Sequence, residues 1–288
     1  MKIGVRPGPL HLNRDFNALA QWLGENDFDS LDLTAPDANQ KKALDEAGLV
    51  PGSFDCPSLG ELLTEDEGAR TEAAASLKEE LSQAAALGLK TFFACFVPVD
   101  RTAPRAKTFE IWKTVAPEIV EHCESLGINL AMEPWPGPAP EYPTLGTTPE
   151  QWRAMFAVVP ANALGLCYDP SHMARLGIDY LRVLREFGDR VHHVHAKDTA
   201  FDDEVLYLTG QMPLSFSAPA FKCSEGWWRY CIPGYGVVDW RSIVTDLLAL
   251  GRDPVFSIEL EDGVYMDDED GNRCGLLASL DYLRSVSR

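Results

Sequence analysis

Four acidic or imidazole side chains stand at the ends of apolar runs, where they could together hold a divalent metal ion. They are Glu133 in LAMEPW, Asp169 in GLCYDPSH, His195 in HHVHAKD and Glu259 in FSIELED. Three carboxylates gathered in one place would repel each other strongly without a cation. Three carboxylates and one imidazole suit Mn²⁺, Mg²⁺, Co²⁺ or Zn²⁺, and the excess of oxygen favours Mn²⁺ or Mg²⁺. The sequence therefore predicts a divalent metal centre, with Mn²⁺ as the expected ion.

Each of these residues alone has an ordinary structural explanation, so the metal hypothesis needs a fold that brings the four together. Eight short apolar runs alternate with helical patterns along the 288 residues, at 2–6, 28–33, 49–55, 91–97, 128–133, 163–169, 190–197 and 254–260. Apolar residues recur at three- and four-residue steps over 71–87, 107–126 and 240–250. The glycines that end helices in left-handed conformation are expected between helix and strand, at Gly48, Gly88, Gly127 and Gly251.

Eight strand-and-helix units in a chain of this length predict a single (β/α)8 barrel domain over residues 1–288. An open doubly wound sheet would show the same alternation, but the first run leads into Arg6-Pro7-Gly8-Pro9 instead of a glycine-rich phosphate turn. In a barrel the carboxyl ends of all strands meet at one mouth, which makes the four candidate ligands neighbours.

Residues 199–238, after the seventh run, are predicted to be a long loop inserted into the barrel. They are rich in Gly, Pro, Ser and aromatic residues, and show little helical or strand periodicity. Such a loop at the active-site end is typical of a lid or a binding loop, and the alternative is a surface excursion or an oligomer contact. Trp227, Trp228 and Tyr230 argue against a fully solvated segment, because they would leave a large apolar patch in water.

Several short motifs give the chain a resemblance to a known family. They are EPWPG at 133–137, DPSH at 169–172, HAKDT at 195–199, WWRYCIPGYGVVDW at 227–240 and SIELED at 257–262. In their order and spacing they resemble the sugar phosphate isomerase/epimerase family, the xylose isomerase-like TIM barrels, which include ketose 3-epimerases, hydroxypyruvate isomerase and inosose dehydratase. The resemblance implies that Glu133, Asp169, His195 and Glu259 are metal ligands. It also implies that Glu133 and Glu259 are catalytic and move a proton next to a substrate carbonyl, through an enediolate.

Four further residues are candidates for substrate binding. His172 matches a family histidine that contacts substrate oxygens, and Lys197 lies on the same strand face as His195, where it could hold a hydroxyl or a phosphate. Arg229 could reach a substrate from the insertion, and Trp135 could form an apolar wall. His193, on the same face but deeper in the barrel, is expected to pack in the core.

The resemblance implies a divalent-metal-dependent sugar isomerase or epimerase. The alternative is a metal-dependent lyase or dehydratase that uses the same proton transfer to expel a group from an oxo-sugar or an inosose, including cleavage of 3-oxo-glycosides. An endonuclease IV-like enzyme would need more histidines and a basic groove, whereas this chain has six histidines and a net charge of −19. A catalytically silent binding module would lack a stoichiometric metal.

Composition limits the partners and the compartment. The net charge of −19 argues against binding to nucleic acid or to an anionic membrane surface, and no apolar run approaches the ~20 residues that cross a bilayer. Seven cysteines without a CxxC pair, and a first segment without an apolar core, are typical of a cytoplasmic protein with reduced thiols. The expected partner is a small sugar or polyol substrate, and a homo-oligomer or a partner subunit is compatible with the sequence.

Overall fold

Eight parallel strands close into a barrel in the computed structural model, which describes residues 1–8 and 10–287. The described strands are β1 (Lys2–Val5), β2 (Ser30–Leu33), β3 (Val50–Phe54), β4 (Thr91–Ala94), β5 (Asn129–Met132), β6 (Leu164–Tyr168), β7 (Val191–Ala196), β8 (Asp198–Phe201), β9 (Trp228–Cys231) and β10 (Val255–Ile258). Strands β1 to β7 follow each other around the barrel, and β10 closes it by pairing with both β7 and β1. Each predicted apolar run contains one barrel strand, so the predicted barrel is confirmed and the open sheet is wrong.

Helices separate the strands and cover the barrel. They are α1 (Phe16–Glu25), α2 (Ala38–Ala47), α3 (Glu67–Ala86), α4 (Arg105–Leu126), α5 (Pro149–Val158), α6 (Pro170–Arg175), α7 (Tyr180–Phe187), α8 (Asp203–Thr209), α9 (Trp240–Ala249) and α10 (Glu269–Val286). The predicted helix-ending glycines Gly48, Gly88, Gly127 and Gly251 have φ of 73°, 76°, 65° and 68°, a left-handed conformation that costs glycine little. Among the described helices, none combines the length and the apolar character needed to span a membrane.

The core lies between the barrel wall and the helices. Trp112 on α4, Trp152 on α5 and Trp240 on α9 are fully buried, and Leu77 and Leu81 of α3 pack into the same hydrophobic cluster. Burying a large apolar side chain contributes roughly 1.5–3 kcal/mol each. These buried contacts hold the helices against the barrel wall. They thereby also fix the positions of the strand ends, which carry the polar residues.

The insertion contains more regular structure than the sequence predicts. Strands β8 and β9 form an antiparallel hairpin, with Thr199 opposite Tyr230, and α8 lies within the long connection between them. Trp227, Trp228 and Tyr230 are buried together, as their aromatic character predicts. The predicted insertion after the seventh barrel strand is present, but its regular elements could not be predicted, because two four-residue strands so far apart in sequence have no local pattern that reveals their pairing.

Asp198 holds the returning end of the insertion against the barrel. Its carboxylate accepts hydrogen bonds from the backbone N–H groups of Gly234 (3.1 Å) and Val238 (3.0 Å), and from Nε1 of Trp240 (3.2 Å). Because Asp198 directly follows the strand that carries His195, the insertion begins and ends at the mouth of the barrel.

Candidate metal centre

The four predicted ligands meet at the carboxyl ends of β5, β6, β7 and β10. One carboxylate oxygen from each of Glu133, Asp169 and Glu259, and a nitrogen of His172, all lie within 4.8 Å of one another. His195 Nδ1 lies 2.7 Å from a Glu133 oxygen and 3.5 Å from a Glu259 oxygen. The fold therefore brings the three predicted carboxylates together with His172, and places His195 against two of them.

Asp169 serves two purposes with its two oxygens. Oδ1 caps α6 by accepting from the backbone N–H (2.8 Å) and the hydroxyl (2.6 Å) of Ser171, and Pro170 occupies the first helical position, where no N–H is needed. Oδ2 is buried, has no hydrogen-bond partner, and lies 3.2 Å from His172 Nε2. The ordinary capping role and the proposed metal role therefore do not compete for the same atom.

Lys197 places a buried ammonium group among the carboxylates. Its Nζ lies 2.5 Å from Glu259, 2.9 Å from Glu261 and 3.4 Å from Asp169. Burial by itself would lower the pKa of Lys197, but these three carboxylates hold it well above its ordinary value. The lysine is therefore charged at neutral pH, and it offsets part of the negative charge of the site.

The two candidate catalytic glutamates are ionised. Burial and the nearby Glu259 oppose the charge on Glu133, yet the neighbouring imidazoles of His172 and His195 hold its pKa below the ordinary value. Burial also opposes the charge on Glu259, but Lys197 and His195 hold the pKa of Glu259 well below the ordinary value. Both carboxylates can therefore accept a proton or bind a cation at neutral pH.

These residues fit a divalent cation. The unpartnered Asp169 Oδ2 is a buried acceptor that a cation would satisfy, and the oxygen-rich donor set suits a hard or borderline ion. Glu133, Asp169 and Glu259 would hold the ion through oxygen, and His195 or His172 would supply a nitrogen. The ligand assignment made from the sequence stays a prediction.

Asp32, at the end of β2, is a buried carboxylate that sequence reasoning missed. Its Oδ2 lies 3.3 Å from His193 Nε2 and 4.0 Å from His195 Nε2. Its Oδ1 accepts from the Ser53 N–H (2.9 Å) and the Ser257 hydroxyl (2.8 Å). Asp32 thus binds His193 in the barrel interior, next to the candidate ligand His195, and the signal in the sequence is weak, because Asp32 is one of two Asp residues in the apolar run at 28–33.

Replacement of Gly52 by alanine is expected to destabilise the protein by about 1–3 kcal/mol through overpacking. A Cβ on Gly52 would overlap Asp32 Oδ1, which cannot move without losing its bonds to Ser53 and Ser257. Urea unfolding measures the effect. Gly60→Ala is the matched control, because a Cβ there meets no atom within 4 Å, and a similar unfolding midpoint for both variants would contradict the contact.

The remaining predicted substrate residues differ in position. His172 and Lys197 lie among the carboxylates, and together with Glu133, Asp169, His195 and Glu259 they form the polar cluster of the candidate site. Trp135 is half-buried in the segment that follows Glu133. Arg229 does not reach the cluster, because its guanidinium pairs with Asp262 (3.0 Å), lies over the Phe221 ring and lines a separate cavity within the insertion.

Two residues that the sequence reading missed do reach the cluster. Tyr230 contacts His172, and Glu261 binds Lys197. Arg175 in turn binds Tyr230. Arg175 follows His172 by three positions on α6, and this helical spacing is the one signal that could have found it.

A cavity of about 450 Å³ adjoins the cluster on the side of β1, β3 and β4. Its wall includes Phe93, whose ring stacks on His195 at 5.2 Å between centroids, and Cys95. Arg6 also lines it, with its guanidinium 4.3 Å above the Phe93 ring and 2.8 Å from Asp55. The volume lies within the range of small-molecule sites, and the wall is partly polar.

A parallel barrel with buried carboxylates and imidazoles at its carboxyl-terminal mouth is the architecture of a TIM-barrel enzyme, in which this mouth carries the active site. Comparison with family models makes this class specific. The chain belongs to the xylose isomerase-like TIM barrel family, whose model matches residues 15–286.

Known relatives include enzymes of more than one reaction type. The chain is 25% identical over 169 residues to inosose dehydratase of Geobacillus kaustophilus, an alignment that covers 56% of this chain and only 51% of that relative. D-psicose 3-epimerase from Clostridium cellulolyticum H10 has a similar structure, with a TM-score of 0.73, 16% identity and 100% of both chains covered. The IOLI protein with a bound zinc atom has a TM-score of 0.69, 17% identity, and coverage of 100% of this chain and 96% of that one. At these identities the structural likenesses show the fold alone.

Proposed function

We propose that the protein is a divalent-metal-dependent isomerase or epimerase that moves a proton at the carbon next to the carbonyl of a sugar or polyol derivative. The observation that carries the proposal is the pair of ionised carboxylates, the buried Glu133 and the partly exposed Glu259, which both lie near Nδ1 of His195 at the mouth of the barrel. Two carboxylates at one reacting centre can remove a proton and return one, which isomerisation and epimerisation both require.

Different residues of the cluster have different roles in the proposed proton transfer. Glu133 or Glu259 accepts the proton from carbon, and Lys197 and His172, which lie beside these carboxylates, donate hydrogen bonds to substrate oxygens. A bound divalent ion supplies the positive charge that stabilises the negative charge developing on those oxygens. Carboxylates with lowered pKa values are weak bases, so this charge stabilisation must also acidify the carbon for the transfer to proceed at neutral pH.

A lyase acting on an oxo-sugar or an inosose is the second candidate, and the similarity to inosose dehydratase favours it. The same proton removal would then be followed by loss of a group from the neighbouring carbon. The Lys197 ammonium group, 2.5 Å from Glu259, could stabilise the leaving hydroxyl by a hydrogen bond. Both candidates share the first step and differ in where the next proton goes.

Proton NMR in D₂O distinguishes the two candidates. The enzyme is incubated with Mn²⁺ and a panel of ketoses, inososes and 3-oxo-glycosides, and the metal is removed by chelation before spectra are recorded. Deuterium next to the carbonyl of a recovered or rearranged sugar is the expected result, whereas vinyl signals or a released aglycone would identify the lyase. Exchange should disappear after treatment with EDTA. Absence of exchange on the whole panel, with one equivalent of metal bound, would contradict the proposed function.

A further inference from the structure

The insertion delivers one side chain into the cluster, the phenol of Tyr230 on β9. Its Oη lies 2.6 Å from His172 Nδ1 and 2.6 Å from Arg175 Nη1, and its ring packs against the Lys197 ammonium group, 4.5 Å away. Tyr230 is only 3% exposed. The insertion is therefore a part of the candidate site and not merely a cover over it.

The hydrogen bonds of this phenol fix the direction of each proton. Arg175 can only donate, so the Tyr230 oxygen accepts from its Nη1. A tyrosine phenol has one proton to donate. Among the described residues, the acceptor within reach of that proton is Nδ1 of His172. The hydroxyl therefore donates to Nδ1, which as an acceptor carries no proton, and the ring proton lies on Nε2.

Arg175 is itself held rigidly, which makes the phenol a fixed donor. Its Nη2 donates to the carbonyl of Gly137 (2.9 Å), and its guanidinium stacks 4.2 Å from the Trp228 ring. The carboxylate of Glu225 lies 3.7 Å away and balances its charge. Arg175 therefore joins α6, the segment after β5 and the hairpin of the insertion at one point.

We propose that Tyr230 is a positioning residue, whose hydrogen bond to His172 sets the tautomer of that imidazole and so prevents it from binding the metal. With its proton on Nε2, His172 presents an N–H to the interior of the cluster, where Asp169 Oδ2 and Glu133 Oε1 lie 3.2 Å and 3.6 Å from Nε2, and a protonated ring nitrogen cannot coordinate a cation. The Lys197 ammonium group, 3.4 Å from Nε2, has the carboxylates of Glu259, Glu261 and Asp169 as its acceptors. His195 is then the one imidazole of the cluster left to bind the ion, and His172 serves as a hydrogen-bond donor to substrate oxygen. The kinetic consequence rests on the proposed function, but the tautomer of His172 does not.

The tautomer can be measured directly by long-range ¹H–¹⁵N NMR of protein labelled with ¹⁵N-histidine and loaded with diamagnetic Mg²⁺. The His172 signals are assigned from their loss in His172→Gln. The expected pattern is a protonated Nε2 and an unprotonated Nδ1. A proton on Nδ1, or on both nitrogens, would overturn the proposal, whether or not the protein is active on any sugar.

Tyr230→Phe removes only the hydroxyl and keeps the ring that packs against Lys197. We expect His172 to lose its single tautomer, and kcat to fall about 10- to 100-fold, as for other groups that orient an active-site residue through a hydrogen bond. A variant that kept the tautomer, or lost it without a change in kcat, would contradict the positioning role.

Tyr180→Phe is the matched control. The Tyr180 hydroxyl also ties the insertion to the barrel, donating to the Val237 carbonyl (3.0 Å) and accepting from the Asp239 N–H (2.9 Å), but it lies outside the cluster. We expect wild-type kcat and an unchanged His172 tautomer. If kcat fell as far in Tyr180→Phe as in Tyr230→Phe, the effect of Tyr230 would be explained by attachment of the insertion to the barrel. That result would overturn the specific role of Tyr230. Wild-type protein with the expected tautomer but no exchange on any substrate would instead contradict only the proposed function.

Discussion

Replacing Glu259 by glutamine is expected to lower the rate of proton exchange next to the substrate carbonyl by about 10²- to 10⁴-fold, the usual contribution of a general base. Glutamine has nearly the same shape and can still accept the hydrogen bond from Lys197, so the buried geometry is kept. It has no negative charge, however, and cannot take a proton from carbon at neutral pH. The incorporation of deuterium from D₂O at saturating Mn²⁺ measures the loss.

Glu261→Gln is the informative comparison for this prediction. Glu261 binds the same ammonium group (2.9 Å) and lies two residues further along the chain, but it is not part of the group formed by Glu133, Asp169 and Glu259. Burial raises the pKa of Glu261, in contrast to the lowered pKa of Glu259. A much smaller loss is therefore expected. Equal losses in the two glutamine variants would show that the charge balance around Lys197 matters and that Glu259 has no special role.

The barrel could be predicted because its signals are local. Every barrel strand lies in a short apolar run, and Gly48, Gly88, Gly127 and Gly251 mark helix ends by their own backbone preference. The convergence of Glu133 and Glu259 needed only one further premise, that parallel strands end at the same mouth. Composition, periodicity and topology together were sufficient to place the candidate ligands in one region.

The rest of the site could not be predicted, because it depends on contacts between distant parts of the chain. Tyr230 binds Arg175 across 55 positions, and Asp32 approaches His193 across 161. No local pattern encodes such pairs, and the hairpin that carries Tyr230 exists only because β8 and β9 meet in space. Arg229 stands beside Tyr230 in the sequence, but neighbouring residues of a strand point to opposite faces, and only Tyr230 faces the cluster.

Lys197→Met is expected to destabilise the metal-free protein by about 3–5 kcal/mol, the usual effect of removing one partner from a buried group of charges. Methionine fills similar space but leaves Glu259, Glu261 and Asp169 without their shared cation. Because the pKa of Lys197 is raised in the folded protein, its stabilising effect is fully present below its ordinary pKa of 10.5 and is lost only as the pH rises through the folded value. The full deficit should therefore be visible at neutral pH.

Urea unfolding at pH 7, in EDTA and in saturating Mn²⁺, tests this prediction. A bound divalent ion supplies positive charge to the same carboxylates and stabilises only the folded state, by about 2.7 kcal/mol at a hundred times its Kd. The deficit of Lys197→Met should therefore shrink in Mn²⁺. Lys222→Met removes an exposed ion pair with Asp267 and should change stability by no more than about 1 kcal/mol in either buffer. Equal stability of Lys197→Met and wild type in EDTA would contradict the stabilising charge balance between Lys197 and the carboxylates.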